Sequence, residues 1–234
     1  SLAQNMTFLF IKLGQSYRNL GLKTGSEIYY EKAIYYFDLV ANKNEQQGIQ
    51  DPLPYLGIGR AYGQLGEFYI ASLNMNRALQ YNPYSPDVYA QLGMVYRQAR
   101  NYEDAISALK CAVRGCNAEE TCAVRNCNVD TDPSIEIEAM DLSSATVVYY
   151  YTYASLLAGM YLPRHPVRSQ YCVESLEIIS EISASSFGSD SSIMDILAPS
   201  REICAAASAS PTEEPATTLM PELTLTPAPT PMEQ

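Results

Sequence analysis

The sequence predicts an all-α fold in which short helices pack as consecutive pairs, followed by an extended tail. Three observations support it: a pattern that recurs after 34 residues, helical spacing of apolar residues within each recurrence, and a change of composition near residue 208. A single helix pair cannot bury its own apolar faces, so repeated pairs stack as a solenoid. We therefore expect one helical solenoid over residues 1–207 and a Pro/Thr-rich tail over 208–234.

The recurring pattern is clearest between residues 52–83 and 86–117. Both segments have an aromatic residue at repeat position 4, Gly at 8, Tyr at 11, and Ala at 20 and 27. These residues are Tyr55, Gly59, Tyr62, Ala71 and Ala78 in the first segment, and Tyr89, Gly93, Tyr96, Ala105 and Ala112 in the second. Positions 4, 8 and 11 share one face of a first helix, and positions 20, 24 and 27 share one face of a second. Small residues at positions 8 and 20 let the two helices approach closely.

This pattern resembles the tetratricopeptide repeat family, whose unit is a helix–turn–helix of 34 residues. The resemblance implies a right-handed solenoid that binds proteins in a concave groove lined by the first helix of each pair. Residues from Thr7 onward also fit, with Gly14, Ser26, Tyr30 and Ala33 at positions 8, 20, 24 and 27. Eleven extra residues precede Pro52, and we expect them to lengthen the second helix or its loop.

The rest of the solenoid is less regular. A Cys-rich insertion over residues 115–145 separates the third repeat from a degenerate fourth unit. The fourth unit has one stripe of Tyr150, Tyr153, Ala154 and Leu157 and a second of Cys172, Leu176 and Ile179. A C-terminal cap helix is expected over 191–207, with Pro199 inside it, which gives about nine helices.

Six cysteines occur, namely Cys111, Cys116, Cys122, Cys127, Cys172 and Cys204. No pair has the C-x2-C spacing of a zinc knuckle, and His165 is the one histidine, so we expect no metal. An even number of cysteines favours disulfides in an oxidising compartment, whereas free buried thiols are the alternative. Cys172 pairs with Cys204 in this interpretation, and Cys111–Cys127 encloses Cys116–Cys122.

The composition bears on location and on the class of ligand. The net charge of −11 argues against nucleic acid as a ligand. No apolar run reaches the length of about 18 residues that a membrane span requires. The cysteines, the Thr/Pro tail and the low Lys content favour an extracellular or cell-surface protein, which begins at Ser1 as a mature form or a fragment. The candidate glycosylation sites are Asn5, Thr217, Thr218, Thr224, Thr226 and Thr230.

No arrangement of residues predicts catalysis or a cofactor. His165 lies between prolines without a nucleophile to activate, and no phosphate-binding glycine loop occurs. Asp130 and Asp132, followed by Glu136 and Glu138, offer a weak calcium pattern that lacks the EF-hand glycine. The tyrosine runs are better explained by core packing than by sugar binding.

The groove implied by the resemblance contains an apolar floor and three arginines. Its candidate binding residues are Phe8, Ile11, Arg18, Leu53, Leu56, Arg60, Met94 and Arg97. Arg suits carboxylates, so an extended acidic peptide is the expected ligand, unless nearby acidic residues already pair with these arginines. The tail has this character, since Leu219, Met220, Leu223 and Leu225 lie at near-alternate positions. Glu213, Glu214, Glu222 and the terminal carboxylate add negative charge.

We therefore predict a non-enzymatic extracellular interaction scaffold that assembles with copies of itself, as an oligomer or filament, through solenoid stacking or tail docking. One alternative is an adaptor that binds an acidic peptide of another protein in the groove. The other is a carbohydrate or cell-wall binder.

Overall fold

The computed structural model describes residues 2–125, 127 and 135–209. This part of the chain contains ten α-helices, two short 3-10 helices (Arg168–Gln170 and Ser186–Ser189) and one isolated antiparallel bridge between Cys116 and Ile137. The helices are α1 (Leu2–Thr24), α2 (Glu27–Gln46), α3 (Pro52–Leu65), α4 (Phe68–Tyr81), α5 (Pro86–Gln98), α6 (Tyr102–Val113), α7 (Ala118–Arg125), α8 (Val147–Gly159), α9 (Tyr171–Ala184) and α10 (Ser191–Ala209). The all-helical prediction is confirmed for these residues, and the helix beyond the predicted nine is α7, inside the insertion.

The helices pack as antiparallel pairs in chain order. The pairs are α1/α2, α3/α4, α5/α6 and α8/α9, and successive pairs meet through α2 with α3, α4 with α5, and α6 with α8. The last helix, α10, packs on both α8 and α9 and runs two residues beyond the predicted boundary at 207. Among the described residues, none of the helices combines the length and apolar character needed to cross a bilayer.

Close helix contacts occur at the glycines of repeat position 8. A Cβ atom built on Gly59 would lie 3.0 Å from the Ala71 carbonyl oxygen and 2.8 Å from Met75 Cγ. The corresponding Cβ on Gly93 would lie 3.2 Å from the Ala105 oxygen and 2.6 Å from Leu109 Cγ. Positions 8, 20 and 24 therefore meet as the repeat pattern predicts, and only glycine leaves room for this approach.

The first helix pair has a different register from the one predicted. A Cβ on Gly14 would lie 2.9 Å from the Phe37 ring, so Phe37 takes the place that Met75 has in the next pair. Ala33 and Val40, both fully buried, then correspond to positions 20 and 27. The assignment of Ser26, Tyr30 and Ala33 to positions 20, 24 and 27 is therefore wrong by seven residues.

The eleven extra residues of this repeat divide between two places. Seven lie between Gly14 and Ala33, where α1 continues to Thr24. In this added part, Gly21 packs on the ring of Tyr30, and a Cβ atom built on Gly21 would lie 2.7 Å from the nearest ring atom. The other four lie between Val40 and α3. Seven residues are close to two helical turns, so the apolar pattern looks the same before and after the shift.

All six cysteines form disulfides, which join Cys111 to Cys116, Cys122 to Cys127 and Cys172 to Cys204. The predicted Cys172–Cys204 bond is present, whereas the nested pairing of the other four is wrong. The reason is local: Gly115 has φ of 80° and reverses the chain after α6. Cys116 thereby returns to the last turn of α6, with 4.7 Å between the Cα atoms of Cys111 and Cys116.

Candidate functional site

A groove follows the first helix of each pair and contains two adjoining cavities. One, of about 290 Å³, lies between α1 and α3, and its lining includes Arg18, Leu53, Leu56 and Arg60. The second, of about 220 Å³, extends to α5 and α8 and is lined by Arg18, Arg60 and Met94, among others. Both arginines line both cavities, so they occupy the centre of the groove.

The structure brings five of the eight predicted groove residues together at these cavities: Arg18, Leu53, Leu56, Arg60 and Met94. The other three lie elsewhere. Phe8 lies outside both cavities and is 63% exposed, and Ile11 is buried in the core. Arg97 lines a separate cavity between α8 and α10.

The two central arginines have different environments. Arg60 forms an ion pair with Asp87 at 2.5 Å, although its buried Nε has no hydrogen-bond partner in the described part of the chain. Arg18 donates a hydrogen bond to Asn19 Oδ1 at 3.2 Å and forms no ion pair with a described carboxylate. Burial, together with the nearby charge of Arg60, lowers the pKa of Arg18. The direct ion pair with Asp87 therefore accounts for Arg60, whereas Arg18 is near the same carboxylate but forms no ion pair with a described residue.

The contribution of α8 is the part of the site that the sequence analysis missed. Val148 and Tyr149 complete the second cavity, and Tyr149 accepts a hydrogen bond from Gln91 of α5. Burial raises the pKa of the Tyr149 phenol, which keeps it neutral in the groove wall. Val148 precedes Tyr150 by two residues, as Leu53 precedes Tyr55, so extending the groove positions into the fourth unit would have found it. Tyr149 has no counterpart among the predicted groove residues.

The remaining candidates do not form a second chemical centre. His165 Nδ1 accepts hydrogen bonds from the backbone N–H groups of Val167 and Arg168, which is a turn-stabilising role. The described ranges contain no group of three or more His, Cys, Asp or Glu side chains that could hold a metal ion. Asp130 and Asp132 of the calcium pattern lie outside the described residues.

The tyrosine runs divide between core and surface. Tyr30, Tyr149 and Tyr150 are each less than 9% exposed, as packing requires, whereas Tyr35 is 59% exposed.

Comparison with known proteins agrees with the repeat pattern. The tetratricopeptide repeat model matches residues 9–37 and 86–114. The chain therefore contains at least two tetratricopeptide repeats. The first match contains most of α1 and α2, and the second contains α5 and α6. The pair α3/α4 between them has the same close contact of a position-8 glycine with the second helix, at Gly59.

The solved structures that are similar to this chain include two described as MamA. One, described as "Crystal structure of MamA", is 17% identical over 76% of this chain and 81% of that chain, with a TM-score of 0.48. Another, "Crystal structure of MamA protein", is 16% identical over 78% of this chain and 97% of that chain, with a TM-score of 0.36. No curated protein matches the chain in sequence.

Proposed function

We propose that the chain is a non-enzymatic interaction scaffold whose groove binds an extended acidic peptide. The observation that carries this proposal is Arg18, a half-buried guanidinium beside Arg60 that forms no ion pair with a described residue, since the nearby Asp87 is paired with Arg60. A carboxylate from a ligand would supply a direct ion pair, and Arg binds carboxylates in a bidentate geometry.

The rest of the groove suits such a ligand. Leu53 and Leu56 form an apolar floor beside the arginines, and Met94 continues it on α5. Met adapts to side chains of different shape, so this floor can accept apolar residues that alternate with acidic ones. An extended chain presents its side chains in this alternating way.

The Arg18→Gln variant is expected to bind a fluorescent peptide of alternating Glu and Leu at least about tenfold more weakly than the native protein, since a hydrogen bond to a charged group contributes about 1.5–3 kcal/mol. Fluorescence anisotropy measures the loss. Lys23→Gln is the matched control, because it removes the same charge from an exposed site on α1. An equal loss in both variants would reduce the effect to overall charge and contradict the proposed groove.

Self-assembly is the second candidate, and an unusual surface of the first helix pair favours it. The outer helices of a repeat array are normally polar on their free side. Here α1 and α2 carry large exposed apolar side chains, namely Met6, Phe8, Leu9, Leu22, Ile28 and Tyr35. Charge also favours a contact between the first and last units. Helix α1 has Lys12, Arg18 and Lys23 without an acidic residue, and α9 has Glu174, Glu177 and Glu181 without a basic one, although Glu177 and Glu181 also pair with Arg114 of α6. A contact between opposite ends generates rings or filaments.

If this surface joins copies, Leu9→Glu should lower the molar mass measured by light scattering during gel filtration. Leu9 is 53% exposed, so the substitution leaves the core intact. Leu73→Glu is the matched control on α4, where the side chain is 58% exposed. A mass unchanged by Leu9→Glu argues against this surface, and deletion of residues 211–234 then tests the tail as the connector.

We also propose an extracellular or cell-surface location, which the three disulfides support because such bonds persist in oxidising compartments. Of the candidate glycosylation sites, Asn5 is exposed on α1, and the five threonines lie outside the described residues.

A further inference from the structure

A third cavity, of about 440 Å³, lies where α8 meets α10. It is separate from the arginine groove, although the same helix, α8, contributes to both. Its wall is largely apolar and aromatic, from Tyr102, Tyr151, Met160 and Ile196, with Arg97 at its edge. This volume is within the range of about 300–1,000 Å³ that is typical of ligand sites.

Two features of α8 show that the chain leaves this cavity open. A Cβ atom built on Gly159 would meet nothing within 4 Å, unlike those on Gly59 and Gly93, so this glycine is not required for helix packing. The Ser155 hydroxyl, which also lines the cavity, is buried and has no hydrogen-bond partner in the described part of the chain. An unpaired buried hydroxyl costs about 1–3 kcal/mol, and a polar group of a ligand would relieve this cost.

We infer that residues 219–225 of the tail, Leu-Met-Pro-Glu-Leu-Thr-Leu, bind in this cavity. The segment combines four large apolar side chains with Glu222 and has no basic residue. Its apolar side chains match the wall, and Glu222 matches Arg97, which forms no ion pair with a described carboxylate. Backbone carbonyls of the segment are acceptors for the Ser155 hydroxyl.

The chain length permits this contact within one molecule. Ile196 lies 13 residues before Ala209 on α10, a distance of about 20 Å at 1.5 Å per residue. The ten residues from 210 to 219 span about 30 Å when extended at about 3.1 Å per residue. Leu219 and the residues after it can therefore return to the cavity of their own chain or reach that of an adjacent copy. Pro-rich segments lose little entropy when they dock.

Photo-crosslinking in the full chain tests the inference directly. With Leu223 replaced by benzoylphenylalanine, irradiation and peptide mapping should place most cross-links on the α8 segment 151–160 and on the first turns of α10. Gly159→Leu, which fills the cavity, should reduce these cross-links at least about tenfold, since the filled cavity no longer has space for the apolar side chains of the tail. Gly159→Ala is the matched control and should leave the cross-link yield within about twofold, because a methyl group fills little of the cavity.

Further variants separate the possible outcomes. Ile196→Glu places a repelling charge at the cavity from a site that is already 45% exposed, and should reduce the same cross-links without disturbing the core. Arg18→Gln should leave them unchanged, so that failure of the peptide groove and failure of this inference remain distinguishable.

Mixing isotope-labelled with unlabelled chains shows whether the tail docks within one chain or between chains, and either result supports the inference. Cross-links spread over other surfaces, or insensitive to both Gly159→Leu and Ile196→Glu, would overturn it.

Discussion

The Gly93→Leu variant is expected to be destabilised by about 3 kcal/mol, at the upper end of what overpacking of a core usually costs. The first added carbon already lies 2.6 Å from Leu109 Cγ and 3.2 Å from the Ala105 carbonyl oxygen, before the rest of the side chain is placed. Leu109 is fully buried and has no space for another rotamer, and the Ala105 oxygen belongs to the backbone of α6. Relief therefore requires α5 and α6 to separate.

Urea denaturation followed by far-UV circular dichroism measures this loss, and the same substitution at Gly159 is the matched control. Both glycines lie within helices, but Gly159 has open space where Gly93 has Leu109. Leucine is a better helix former than glycine, so Gly159→Leu should be neutral or slightly stabilising. An unchanged urea midpoint for Gly93→Leu would show that α5 and α6 do not meet in the register described above.

Removal of the Cys172–Cys204 disulfide, by replacing both residues with Ala, is expected to cost about 3.5 kcal/mol of unfolding free energy, because this bond closes a loop with a sequence separation of 32. It joins α9 to α10 where both cysteines are buried against Ala158 of α8. The Cys122–Cys127 bond, with a separation of 5, should contribute only about 2 kcal/mol by the same loop-closure argument.

Guanidinium chloride unfolding of the two double variants provides the comparison. The wild-type protein, denatured without reductant, should not react with a thiol reagent, since all six cysteines are paired. Equal losses for the two variants would contradict the dependence on loop length. Reaction of six thiols in the wild-type protein would contradict the disulfides themselves and the proposed extracellular location.

The repeated helix pairs could be predicted because their contacts use residues at fixed spacing. Glycine is the only residue type that fits where two helices approach as closely as they do at Gly59 and Gly93. Ala71 and Ala105 face these glycines from the second helices. Helical periodicity therefore identified the helices and their packed faces. Arg18 and Arg60 could be placed in the groove because the resemblance to the tetratricopeptide repeat family implies which positions of the first helices face it.

Other features had no such signal. Tyr30 and Phe37 are both aromatic and two turns apart, so periodicity could not tell which of them meets Gly14. The pairing of Cys111 with Cys116 depends on the chain reversal at Gly115, which the cysteine spacing does not encode. The place of Tyr149 in the groove depends on the packing of α8 on α6 across the insertion, a tertiary contact that no local pattern reveals.

The two added turns of the first helix pair affect how a ligand can bind in the groove. Compared with α3 and α4, four of the seven residues lengthen α1 and three lengthen α2, so α1 extends about 6 Å farther past its position-8 glycine. Leu22, near the end of this extension, lines the same cavity as Tyr149 of α8, so the first and fourth units of the stack border one opening. The extension therefore forms one border of the cavity that both arginines line. A ligand bound there would contact the first and the fourth unit at the same time, and would hold these two units at a fixed separation.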